Sequence, residues 1–138
     1  MSVEYMKPAY DFLGYKIIKV ELNRFNDGLI EKFKLSISNN NYDEEKQVYS
    51  FLINVKLYFK DNDESIFKFF TAFKINDSNW FEMLEEDVKN TMFFSIVFPF
   101  VRQKVNELCD DSRELIRLPI VNLKNANLTK EVVFTLNK

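Results

Sequence analysis

Three acidic clusters are the first places to look for chemistry: Asp43-Glu44-Glu45, Asp61/Asp63/Glu64 and Glu85-Glu86-Asp87. Neighbouring carboxylates can hold a divalent cation or divide general-acid and general-base work between them. Each cluster falls in a turn signal or at the start of a helical pattern, where acidic side chains are ordinary. The Asp61 group also lacks the glycine and the terminal glutamate of a calcium loop. All three read as solvated turns. The single cysteine, Cys109, has no histidine to activate it, because the chain contains none, and it reads as a small inert hydrophobe. The same counts remove histidine-dependent triads, histidine-ligated metals, internal disulfides and cysteine-based zinc sites. Gly14 and Gly28 are the only glycines, so no glycine-rich phosphate loop can be written. The expectation is no catalytic residue, no metal, no cofactor and no enzyme.

Two aromatic stretches remain. Phe67–Lys74 (FKFFTAFK) interleaves lysine with aromatics as base-stacking strands do, but it lacks the glycines of that motif, and plain strand alternation produces the same pattern. The net charge of −2 argues further against a general nucleic-acid binder. Trp80, Phe81, Met83 and Leu84 crowd four large apolar side chains into five positions. Either they tuck in to finish the core, or they form an adaptable apolar groove, since methionine and aromatics re-pack around varied partners.

What must position that cluster is the segment behind it. Val88–Cys109 is long enough for the main helix of a small domain, about 33 Å at 1.5 Å per residue. From Met92 to Val101 only Ser95 is polar, so this half is apolar nearly all round and wants cover on every side. After Arg102 the pattern turns amphipathic, with Val101, Val105 and Leu108 on one stripe. Pro99 lacks an N–H and presses on the Ser95 carbonyl, which predicts a kink or a break. The run is too short for a membrane span.

Upstream, alternation predicts four strands. Lys16–Phe25 follows a loose N-terminus and places Ile18, Val20 and Leu22 inward. After the turn signal Asn26-Asp27-Gly28, Lys32–Ser38 turns Phe33, Leu35 and Ile37 inward, and Asn39–Lys46 is read as a loop. Gln47–Phe59 and Ser65–Ile75 complete an antiparallel meander or a close variant of one. These last two strands carry apolar residues on both faces, which implies cover of the second face, most economically by another subunit. Downstream, Asp110-Asp111-Ser112 is a connector and Leu115–Leu123 an extended segment. The tail with Val132, Phe134 and Leu136 is an edge strand or a short helix capped by Thr129. With 138 residues, 46% of them hydrophobic, and no repeats or linkers, the chain reads as one domain with its core at about 16–123 and a short tail, 124–138. MSVEYMKPAY carries no basic-then-apolar signal, so the expected location is cytoplasmic and the Asn127-Leu128-Thr129 triplet is without function.

The order of these elements resembles the SecB family of export chaperones. The resemblance runs from about Lys16 to Leu123. Phe98-Pro99-Phe100-Val101-Arg102 looks like that family's Phe-Pro-aromatic-small-Arg signature. FKLSIS, a polar loop and QVYSFLINVKLYF stand where its second and third strands do, and LPIVNL stands where the family has Leu-x-Pro-Val-Asn-aromatic. The resemblance implies an α+β fold, a four-stranded antiparallel sheet with a long kinked helix packed on one face. It implies a dimer of dimers with long helices at its centre, here through Ile96, Val97, Phe100 and Val101. It also implies an ATP-independent holdase that binds unfolded clients in apolar grooves, through Ile75, Trp80, Phe81, Met83, Leu84, Phe93 and Phe94. The clients would be unfolded preproteins, with docking to the SecA motor, or one dedicated protein such as an antitoxin, as for divergent relatives. Against the family pattern, the link NDGLIEK is shorter than the usual crossover loop and Pro119 falls one position early. The C-terminal region lacks the long second helix and acidic tail that contribute to SecA recognition. A different class of reading is an interaction or scaffold protein that keeps fold and oligomer without general client binding.

Overall fold

The computed structural model describes residues 8–22, 30–59, 64–109, 128 and 131–135. Their elements, in chain order, are β1 (Tyr10–Glu21), β2 (Ile30–Asp43), β3 (Val48–Phe59), β4 (Glu64–Ile75), α1 (Ser78–Met83), α2 (Glu86–Leu108) and β5 (Val132–Thr135). The strands form one antiparallel sheet in the order β1-β4-β3-β2-β5. The expected antiparallel sheet with a long helix on one face is present, with five strands rather than four. The tail supplies the fifth: Phe134 stands opposite Phe33 and stacks on it at 4.8 Å, so the Val132/Phe134 periodicity is that of an edge strand.

β3 shows why the sheet forms. Tyr49, Phe51, Ile53, Val55, Leu57 and Phe59 alternate without interruption and are each 3% exposed or less. They sit opposite Phe67, Phe69, Thr71 and Phe73 of β4 on one side and Phe33, Leu35 and Ile37 of β2 on the other. α2 lies on this face, with Phe93 against Tyr49 and Phe73.

Three expectations change. First, β1 begins six residues earlier than alternation suggested, and its phase differs as far as Ile17. Ile18 and Leu22 are about half exposed, and Val20 is exposed too; Tyr10, Phe12 and Ile17 pack against the core instead. Leu13 and Ile18 are the extra residues at register shifts between Phe12/Gly14 and Ile17/Lys19 and break the alternation; beyond them Val20 is back on the α2 face opposite Phe67, and it is exposed there near the strand end. Gly14 takes φ +131°, a backbone that suits glycine, and its carbonyl accepts from Thr71 Oγ1 at 3.0 Å. Second, β2 runs on to Asp43, so the supposed loop Asn39–Lys46 is mostly strand. It holds because Tyr42 faces the core opposite Tyr49, and the true turn is closed by Asp43 Oδ1 accepting from the Glu45 and Lys46 amides. Third, of the meander and its close variant, the sheet is the variant. β1 pairs with β4, so β4 and β3 stand between β1 and β2, which are about 14 Å apart at the usual strand spacing.

α2 runs through Pro99 as one helix, not broken there. Ser95 and Pro99 are both exposed, so water can serve the carbonyl that proline leaves unpaired. One stripe, Phe93, Phe94, Val97, Phe98, Val101 and Val105, is buried in this chain. A second, Val88, Met92, Ile96 and Phe100 at intervals of four, is half-buried to exposed. Among the described residues no helix is long and apolar enough to cross a membrane, and no group of three acidic, cysteine or histidine side chains is placed to hold a metal. The expectations for Asn26-Asp27-Gly28, Asp61/Asp63, Asp110-Asp111-Ser112, Leu115–Leu123 and Thr129 lie outside the described residues.

Candidate functional site

The stretch after β4 folds into α1 because Asp77 caps it: its side chain accepts from the Trp80 amide at 3.0 Å, and its carbonyl accepts from the Phe81 amide at 3.1 Å. The helix lasts six residues, and at Leu84 the chain is extended again before α2 begins. This short helix aims Phe81 inward and leaves Met83 85% exposed.

Beneath α1 lies a well of aromatic rings. Phe93, on the first turns of α2, is its centre: Phe73 lies 4.6 Å away, Tyr10 and Tyr49 each 5.3 Å, Phe81 6.2 Å and Trp80 6.4 Å. Phe81 plugs the well against Tyr42 at 4.6 Å and Tyr49 at 5.1 Å, and Lys89 Nζ sits 4.1 Å over its ring. Trp80 stacks on Tyr10 at 5.8 Å.

A polar group adjoins the plug. Asn40 Nδ2 donates to Tyr49 Oη at 2.6 Å and to Asn90 Oδ1 at 3.0 Å, and the tyrosine hydroxyl donates to Asn90 Oδ1 at 3.4 Å. Burial pushes the Tyr49 phenol above its ordinary range, and Glu86 pushes the same way, against the Asn40 bond that lowers it. Asn90 Nδ2 is buried and has no acceptor among the described residues, a donor left unspent beside the aromatic well.

Of the seven residues expected to bind a client, Trp80, Phe81 and Phe93 meet in the aromatic well, while Phe94 stacks on Phe98 along α2. Ile75, Phe81, Phe93 and Phe94 are buried, Trp80 and Leu84 are half-buried, and Met83 projects into solvent. Of the four expected at an oligomer interface, Val97 and Val101 are buried within the chain, Ile96 is partly buried and Phe100 is 43% exposed. Phe100 packs on Phe12 and Tyr15 of β1 at 5.6 and 5.8 Å, which joins the open helix stripe to the sheet edge. Sequence reading missed Tyr10, Tyr42, Asn40 and Asn90. The signal for Asn90 was its place in the apolar stripe, three and four residues before Phe93 and Phe94.

No protein-family model matches the chain, and no curated protein matches it. Among solved structures it is similar to the Mycobacterium tuberculosis SecB-like chaperone in complex with a ChAD peptide from the HigA1 antitoxin, with a TM-score of 0.56 over 83% of this chain and 88% of that one. The fold is SecB-like. At 13% identity what the two share is the fold.

Proposed function

We propose that the protein is an ATP-independent holdase that protects an aggregation-prone polypeptide, one dedicated client such as an antitoxin ahead of exported preproteins at large. The observation behind this reading is α1 itself: a six-residue helix, held by one cap and a few ring contacts, that plugs an aromatic well while presenting Met83 to solvent. When α1 lifts, client apolar side chains take the place of Phe81 against Tyr42, Tyr49 and Phe93, and a client main-chain carbonyl takes the Asn90 Nδ2 donor. Each buried leucine- or phenylalanine-sized side chain is worth ~1.5–3 kcal/mol. Micromolar affinity, about 8 kcal/mol, therefore needs several such residues, which suits an extended segment rather than a single anchor. A second copy covers the Ile96/Phe100 stripe and the open β1 edge, giving a homo-oligomer. The chemistry needs no cofactor and makes the protein a binder, not an enzyme, working in the cytoplasm.

Trp80 is the one tryptophan in the chain and stacks on Tyr10, so it reports α1 directly. Titration with a tryptophan-free unfolded polypeptide is expected to shift its emission in a saturable way without ATP. The competing reading, an oligomeric scaffold without client binding, draws on the burial of Ile75, Phe81, Phe93 and Phe94. An emission spectrum unmoved by any unfolded polypeptide would favour it.

A further inference from the structure

The sheet face turned away from α2 carries lysines in its interior and carboxylates at its ends. By register, Lys16 and Lys19 of β1, Lys68 of β4, Lys56 of β3 and Lys34 and Lys32 of β2 share this face, with Lys74 beside the end of β4. Asp11, Glu21, Asp43 and Glu64, on the same face, each stand at or next to a strand end. In a chain of net charge −2 this is a local arrangement and not a reflection of composition.

Two cross-strand pairs place lysine directly opposite lysine, an arrangement that costs stability unless an anion intervenes. At Lys34 and Lys56 an anion does: the Glu131 carboxylate reaches Lys56 at 3.0 Å and Lys34 at 3.6 Å. The second pair, Lys19 and Lys68, has the same construction. Lys19 reaches Glu21 along its own strand at 3.2 Å, and Lys68 has no ion pair among the described residues. Two positions along β4 from Lys68 is Phe70, 40% exposed and opposite both Leu52 and Lys16. Lys68 and Phe70 are thus about 6.8 Å apart along the strand, the repeat of an extended chain.

We propose that this face docks an acidic, extended segment of a partner polypeptide. A carboxylate seats between Lys19 and Lys68 as Glu131 does between Lys34 and Lys56, and an apolar side chain two residues on lies over Phe70 and Leu52. A nucleic acid fits less well. The Tyr58 ring on this face, which a base would stack on, is already taken by Lys32 and Lys34, 4.8 and 5.1 Å from its centre.

The test is fluorescence anisotropy with a labelled peptide of three Glu-Ser-Leu-Ser repeats, with oligo-dT and phosphatidylserine vesicles as separate arms. The peptide is expected to bind at 50 mM salt and to weaken several-fold at 200 mM. Lys68→Glu should weaken it at least tenfold and Lys68→Gln less, while Lys46→Glu in the β2–β3 turn has no effect. Lys68→Glu turns a like-charge pair into an opposite one, so its melting temperature should match or exceed that of the unaltered protein. No peptide binding, equal binding by Lys68→Glu, or a preference for oligo-dT or vesicles would overturn the proposal.

Discussion

β3 and β1 are both twelve residues long and belong to one sheet, yet they meet opposite fates. β3 lies in the interior, paired on both sides, and its alternation buries each inward residue. β1 is the edge, paired on one side, and its two inserted residues, Leu13 and Ile18, stand in solvent. Period-two alternation reports a face only while register is unbroken, and an edge strand has one neighbour fewer to enforce it. The apolar surface that β1 leaves uncovered continues through Phe100 onto the open stripe of α2. That is where a partner chain has most to gain. The inward face of β3, by contrast, is fully used within the chain.

The largest effect that sharpens the contrast belongs to the core. Phe93→Ala removes the ring at the centre of the aromatic well and is expected to cost ~3–5 kcal/mol in urea unfolding. Asn90→Leu should cost less, about 1 kcal/mol. Asn40 and Tyr49 lose a shared acceptor but keep their 2.6 Å bond to one another. Client affinity, read by Trp80 fluorescence, should fall with it. At the edge, Ile18→Lys should change chain stability by less than about 0.5 kcal/mol, because its side chain is half in water already. Its effect should appear in light scattering as a drop toward the 16.5 kDa monomer mass. An unchanged mass would remove β1 from the oligomer interface.

The smallest effect concerns Glu131. The hydrogen bond from Lys56, with the charges of Lys56 and Lys34, holds its carboxyl below the ordinary glutamate range. Lys56 is raised chiefly by Glu131, and Lys34 chiefly by Tyr58 with help from Glu131. A depressed carboxyl contributes stability above its unfolded value and loses it as pH falls through the folded one. Raised lysines lose theirs as pH rises through the folded values. Glu131→Gln should therefore melt slightly below the unaltered protein at neutral pH, with the gap closing in acid and in high salt.

The legible parts of the sequence were those where one rule acted alone. Uninterrupted alternation identified both faces of β3 and β4 and the inward residues of β2. The apolar run before Arg102 identified the helix that carries the site. β1 was misread because its inserted residues have no signature of their own beyond Gly14, and Tyr10 and Phe12 fell in a segment with too little periodicity to recognise. The cluster Trp80–Leu84 was visible as an anomaly, but composition did not show that Asp77 would wind it into a helix with Phe81 turned in and Met83 turned out. Nor did it show that Tyr42, in the middle of a polar run, would line the same well.

The central claim is that α1 covers a site for unfolded polypeptide. It is tested most directly by light scattering from an aggregating model protein, without ATP, in the presence of the unaltered chain or of Trp80→Ala/Met83→Ala. The account predicts suppression at near-stoichiometric amounts by the unaltered protein and its loss in the variant. Suppression undiminished in the variant would place the site elsewhere, and no suppression by either would contradict the holdase reading.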